Sequence, residues 1–511
     1  MTTPAYPSAI SLANIQTEFG GSNPIGLNEY YYGGSYNITG STYIYGFTPS
    51  SGQISFNTLQ GCTKATGYFV TEIDIGSGAP NGAGSGSGTN QTQYGLSGVS
   101  IDSSGNIYVA GYLSTGSPSS STPSGCFAKL NSNGVLQWFK STYYVTAAMG
   151  FCTVKVLPNG NILFAFQANS ATSTAWMVLN SSGSLVGSYW NTTMPNTGSC
   201  VVDSSNYLYF GVSKSTSDYN YDSGVWKFDQ SATNYFSKRL RTAYTDGYDV
   251  CNGITLDGSG NIYLTGQNRA FAGQPIAMYV LKCDSTGAPV WSTTVGQSAA
   301  SSTNYCYGLA TKVNSSGYSY SWGYGNAKLD GSTTTAYALL AKWDSSGSIQ
   351  FKRYVTSGSS AASANSMAMD SSGNYYIMAS ISGVTGCVVF KYNSSDVLQW
   401  QRFTSLVGHS IEVSSDGTYL VLVGKGNFAT GTNNSYTTYA VMKVPTDGSR
   451  TGTFTYSYGW NASSYSLSST SVADSSTTFY DGGSWPSGTS YSIGSIFDAS
   501  YCYQNFISPM Y

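Results

Sequence analysis

Charge is the scarcest commodity in this chain. Only 9% of its 511 residues are Asp, Glu, Lys or Arg, the net charge is −2, and there is one histidine. A chain so poor in cations has no basic face for phosphates, which excludes a nucleic-acid partner. Long apolar runs are missing too. No stretch of about 18 apolar residues occurs, so no membrane insertion is expected. The opening segment MTTPAYPSAISLANIQ has neither a basic nor an apolar region of the secretory kind, so synthesis in a cytoplasm without a signal peptide is expected. With one histidine, any Ser-His-Asp or Cys-His chemistry would have to run through His409, and no G-x-S-x-G context is present. His409 therefore reads as a hydrogen-bonded turn or strand residue.

What is abundant is Gly (60), Tyr (44), Ser and Thr, arranged in a repeat. LSGVSIDSSGNIYVAGY from Leu96, then CFAKLNSNGVLQWFK from Cys126, form one two-part phrase. Its punctuation returns in LPNGNILFAF, LDGSGNIYLTG, MDSSGNYYIMA and VSSDGTYLVLVG. The turn markers Gly105, Gly160, Asn206, Gly260, Gly317, Gly373 and Gly417 fall roughly 45–57 residues apart, the propeller range. Asp and Asn bond their own backbone and Gly supplies positive φ, so D-S-S-G-N is a hairpin turn. Each copy holds four short strands. The fold class is thus all-β, a β-propeller of four-stranded antiparallel blades. Ser466–Asp481 has the shape of a repeat's first two strands, and Tyr68–Asp74 matches its third-strand phrase. An eighth blade built from both termini is expected, with Tyr68–Asp74 beside Thr478–Asp481; seven blades is the alternative.

The acids recur in these turns. Asp102, Asp203, Asp257 and Asp370 each stand alone among serines, which fits a turn and not a calcium loop. Asp246 with Asp249 and Glu72 with Asp74 are the only close acid pairs, and sequence proximity does not show the two-carboxylate geometry a glycosidase needs. Nine cysteines is an odd count. Cys152, Cys200, Cys251 and Cys306 sit early in first strands, beside the central channel, at uneven distances from their turns. They read as small buried thiols, with no metal and no cofactor expected. Tyrosines between strands are the better binding signal, because turns do not need them: Tyr143, Tyr144, Tyr219, Tyr221, Tyr244, Tyr248 and Tyr324 are the candidate glycan-stacking residues.

Residues 1–64 break the period. Leu12, Ile15 and Phe19, then Leu27 and Tyr30, fall at helical spacing in two short segments stopped by Gly20-Gly21 and Gly33-Gly34. Helices this short need a partner. The chain divides into an N-terminal docking module with short helices (1–64), the propeller (65–481) and an apolar, aromatic C-terminal docking tail (482–511).

ISLANIQTEFGGSNPIGLNEYYYGGSY, with the later PSSGQISFNTLQGC, resembles a short module of structural proteins of tailed bacteriophages over about residues 8–62. Gly26 and Tyr32 depart from that pattern. The propeller resembles bacterial and viral repeats with a D-x-S-G-N-x-Y-V core. The resemblance implies a non-enzymatic virion protein, docked to tail or capsid proteins through Leu12, Ile15, Phe19, Leu27 and Tyr30. Its propeller would face host surface polysaccharide, in a symmetric homo-oligomer or in several copies on the particle. A purely architectural tail, collar or capsid-decoration subunit is the alternative, and a polysaccharide-degrading enzyme ranks behind both.

Overall fold

The computed structural model describes residues 68–75, 96–114, 123–142, 152–168, 173–191, 196–217, 220–242, 248–269, 276–295, 305–326, 336–356, 361–383, 386–404, 406–426 and 438–449. It also describes the backbone of short strands at 44–45 and 63–64 and of eight more between 452 and 509. Every regular element among these residues is a β-strand. The two N-terminal helices, with Leu12, Ile15, Phe19, Leu27 and Tyr30, lie outside the described residues.

Alternation of Val, Ile, Tyr and Phe with small residues produces four-stranded antiparallel sheets, and there are seven. Blade 1 runs through Leu96–Ile101, Ile107–Ser114, Pro123–Leu130 and Leu136–Thr142 from the inside outward. Blades 2 to 6 repeat that order, with inner strands Cys152–Val156, Asn196–Val202, Tyr248–Leu256, Cys306–Val313 and Ala362–Met369. Blade 7 takes Val407–Val413, Tyr419–Gly426 and Thr438–Pro445 from one end of the chain and Phe69–Ile75 from the other. Seven apolar clusters fill the ring, one at each interface between neighbouring blades.

The eighth blade expected from the two ends is therefore corrected. Phe69–Ile75 is the fourth strand of blade 7, paired with Thr438–Pro445, and Phe479–Ser484 lies on blade 3. A hydrogen-bonded seam of distant segments closes the ring, but it completes a blade already three strands deep.

The C-terminal segment is not a separate tail. It passes around the ring against the blade order and adds one outer strand to every blade. Gly459–Ala462 pairs with blade 6, Ser466–Ser469 with blade 5, Asp474–Ser476 with blade 4 and Phe479–Ser484 with blade 3. Ser490–Tyr491 then pairs with blade 2, Ile496–Asp498 with blade 1, and Cys502–Pro509 with Phe69–Ile75 of blade 7. All seven pairings are antiparallel. Each blade's outer edge, which would otherwise present free backbone groups, is covered by this belt.

The recurrent acids do what their spacing suggests. Asp257 Oδ1 accepts the backbone N–H of Ser259 at 3.0 Å and of Asn261 at 2.9 Å, and Oδ2 accepts from the Asn261 side chain at 2.8 Å. Gly260 at φ +79° closes the turn. The same turn forms at Asp102, Asp203 and Asp370. The Tyr263 hydroxyl also donates to Asp257, 3.3 Å away, and Lys282 lies over the Tyr263 ring at 5.3 Å. Tyr108 with Lys129, Tyr209 with Lys227 and Tyr376 with Lys391 repeat the arrangement. Blade 2 replaces all three groups with Leu157, Leu163 and Val178, each buried in the interface with blade 3.

This natural substitution gives a test. Asp257→Ala is expected to cost about 2 kcal/mol in urea denaturation, because the turn's N–H donors and the Tyr263 hydroxyl lose their acceptor. Converting Asp257, Tyr263 and Lys282 together to Leu, Leu and Val should recover most of that loss. If the triple variant is as unstable as Asp257→Ala, blade 2's apolar trio is not an equivalent solution.

Candidate functional site

The seven inner strands line a central channel with about 160 Å³ of open space. In six blades the inner strand carries a β-bulge, between Leu96 and Gly98, Thr197 and Ser199, Cys251 and Gly253, Gly308 and Ala310, Ala364 and Ser366, and Gly408 and Ser410. Small residues in the second strands make room for it: a Cβ on Gly266 would run into the Val250 carbonyl, and one on Gly323 into that of Tyr307. A bulge re-aims the extra side chain. Asn252 and Asn365 occupy that extra position, and each donates to the carbonyl of the glycine before the next blade's bulge residue, Gly308 and Gly408.

His409 stands at the same bulge position in blade 7. It is in a strand, as its sequence context suggests, but its Nε2 is buried with no hydrogen-bond partner. Burial, helped by the nearby Lys425 ammonium, pushes its pKa down to about 4. The ring is neutral at pH 7.

Closer to the turns lies a layer of charge. Lys155, Lys312 and Glu412 each stand two residues before the first residue of their blade's turn, Leu157, Asn314 and Ser414, so they reach the channel at one level. Lys155 Nζ is 3.9 Å from Glu412 Oε2. Lys312 makes no hydrogen bond or ion pair among the described residues. Burial lowers its pKa; Glu412 opposes that and Lys155 reinforces it, so all three groups feel one another.

Over this layer, on the face that carries the Asp turns, a groove of about 660 Å³ opens across blades 1 to 3. Its floor begins at Ser100, Val156 and Val202, each adjacent in sequence to a channel-lining residue. Its walls are amide and hydroxyl groups: Ser103, Ser104, Asn159, Asn161, Asn180 and Ser204, with Asp102 and Asp203.

The tyrosines chosen from sequence are placed elsewhere. Tyr143, Tyr144, Tyr219 and Tyr244 lie outside the described residues. Tyr221, Tyr248 and Tyr324 belong to strands, not loops, at the opposite mouth of the channel. Tyr221 packs edge-on against Tyr248 at 4.8 Å, and Tyr248 also faces the Arg269 guanidinium at 5.4 Å. Tyr324 packs on Tyr307 at 5.1 Å, and Tyr307 stacks on Tyr305 at 4.8 Å. Asp249 accepts from the Asn268 side chain at 2.6 Å, while Asp246 and the side chains of Glu72 and Asp74 lie outside the described residues. The described cysteines are free and buried, and burial pushes the Cys251 thiol up to about 12.

No protein-family model matches the chain, and no curated protein does. Among solved structures, a polysaccharide lyase is similar at 11% identity and TM-score 0.43, over 75% of this chain and 98% of that one. The α-L-arabinanase of Penicillium chrysogenum, complexed with arabinobiose, is similar at 10% identity and TM-score 0.39, over 74% and 98%. The α-L-arabinofuranosidase of Fusarium graminearum is similar at 10% and 0.39, over 74% and 97%. These likenesses concern the fold, a β-propeller. The three neighbours named are carbohydrate-active enzymes, which corrects the expectation of a non-enzymatic protein. What the channel does is argued from its own residues.

Proposed function

We propose that this propeller is a carbohydrate-active enzyme working at the mouth of its channel on the Asp-turn face. The observation that supports this most is the placement of Lys155, Lys312 and Glu412 at one level of the channel, Lys155 directly before Val156 of a groove that Asn and Ser groups line on the same face. Amides and hydroxyls are the partners that sugar hydroxyls need. The groove is wide enough for sugar rings, and the channel below admits only a substituent. A lysine whose pKa is lowered by burial carries more of the neutral amine near neutral pH, and that amine accepts protons. Glu412, 3.9 Å from Lys155, is the one carboxylate of the channel lining among the described residues. A two-carboxylate hydrolysis therefore lacks its second acid there, since Asp102 and Asp203 are tied into turns. The chemistry that fits is base-led, with Lys312 as the proton acceptor.

The test is direct. Full-length protein is incubated with a panel of neutral and acidic polysaccharides, and chain length is followed by size-exclusion chromatography and mass spectrometry. Cleavage of at least one member is expected, falling roughly a hundredfold or more in Lys312→Met, the usual weight of a positioned acid–base group. If no polysaccharide is shortened, or if Lys312→Met cleaves as well as the parent, the reading fails.

A further inference from the structure

The channel layer is unbalanced in charge. It has two lysines, Lys155 and Lys312, and one carboxylate, Glu412, which lies within 3.9 Å of Lys155. Lys312 faces the same space and feels the Glu412 charge, but no carboxylate or hydrogen-bond acceptor contacts it among the described residues. His409, at the bulge of blade 7, is neutral and offers an unpartnered ring nitrogen instead of a counter-charge. Lys312 is half-buried and its ammonium opens to that space, so an anion entering it would meet a cation with no counter-charge in contact. The space it faces is about 160 Å³, room for a charged substituent and not for a polymer.

From this we infer that the channel is an anion site, and that the glycan read by the groove is an acidic one. The shared chemistry is a carboxylate or sulfate on a sugar ring, lowered from the groove into the channel, where Lys155 and the protonated form of Lys312 are its cations; the neutral form of Lys312 is the one that takes a proton in the proposed reaction. The inference rests on the carbohydrate reading above for its ligand, but the anion site itself does not. Glu412 sets its strength by drawing off part of Lys155's charge. It also gives the site selectivity, because a dianion approaching too deeply meets that carboxylate.

Binding to the full-length protein is measured by isothermal titration with four probes: a uronate oligosaccharide, a sulfated oligosaccharide, a neutral oligosaccharide of matched length, and inorganic sulfate. At least one acidic oligosaccharide should bind about tenfold or more tighter than the neutral one, and added salt should weaken it. Lys312→Met should remove that preference without lowering the melting temperature, since it removes an unpaired charge. Lys312→Arg should keep the preference, because it keeps the charge, while losing cleavage, because guanidinium does not give up a proton. Equal binding of neutral and acidic probes, or an acidic preference that survives Lys312→Met, overturns the inference. If neutral chains are cut and acidic ones are not, the anion inference falls while the enzyme reading stands. If inorganic sulfate binds through Lys312 and no sugar does, the anion site stands and the carbohydrate reading falls.

Discussion

A chain ending at residue 451 is expected to melt well below the full-length protein and to self-associate. The belt it lacks contributes one strand to each of seven blades, from seven paired positions on Phe69–Ile75 to two each on blades 2 and 6. Each backbone hydrogen bond is worth roughly 0.5–1.5 kcal/mol net, so the summed loss exceeds most single substitutions. Blade 7 should suffer most. Its outer strand, Phe69–Ile75, comes from far away in the chain, and the last belt strand holds its other edge. Without that strand the seam becomes an edge strand held on one side only. The remaining blades would expose unpaired outer edges, which are templates for association. Differential scanning calorimetry and analytical ultracentrifugation on the two chain lengths check this. A truncated chain that stays monomeric and melts with the parent would reduce the belt to a passive wrapping.

Much of the ring was legible because its determinants are local. D-S-S-G-N closes a turn with its own Asp, whatever lies around it, and the structure repeats that turn at Asp102, Asp203, Asp257 and Asp370. Blade closure was not local. Phe69–Ile75 carries the same alternation as any third or fourth strand, so sequence gave it a blade to belong to without saying which. The belt was less legible still. Its strands are as short as Ser490–Tyr491, and each pairs with a blade encountered earlier in the chain, in reverse order. Nothing in a stretch of two to eight residues specifies a partner that lies from 58 positions away (Phe403 to Asn461) to 440 (Phe69 to Pro509).

The charged layer left a trace that tyrosine counting obscured. In T-V-K-V-L-P-N-G, A-T-K-V-N-S-S-G and S-I-E-V-S-S-D-G the charge falls at the same offset from the turn. Strand alternation puts that offset on the channel side, so aligning the repeats on their turns brings Lys155, Lys312 and Glu412 to one level. Three of the tyrosines expected in loops are in strands for a physical reason. Tyr221, Tyr248 and Tyr324 border long connections, but they extend the strands and pack on neighbouring rings, as β-prone aromatics do.

Stability should fall as the pH is lowered from about 6.5 to about 4, and the loss should trace to His409. The unfolded histidine titrates near 6.5, whereas burial and the Lys425 charge hold the folded ring's pKa down at about 4. Between those values the unfolded chain binds a proton that the folded chain refuses, so each step toward acid favours unfolding. Below about pH 4 the cost is fully developed, and it amounts to about 3 kcal/mol, discounted for whatever solvent the channel admits. The window is clean because the chain has a single histidine. Turn carboxylates such as Asp284, Asp344, Asp416 and Asp447 have lowered pKa values through their hydrogen bonds, so their contribution to acid instability begins at lower pH. His409→Asn introduces the residue that the bulges of blades 4 and 6 already use and cannot titrate. Urea midpoints measured at pH 7, 5.5 and 4.5 should decline for the parent and stay nearly level for His409→Asn. Parallel declines in the two proteins would mean that the channel is wetter than its geometry implies and that the histidine titrates there as it does in water.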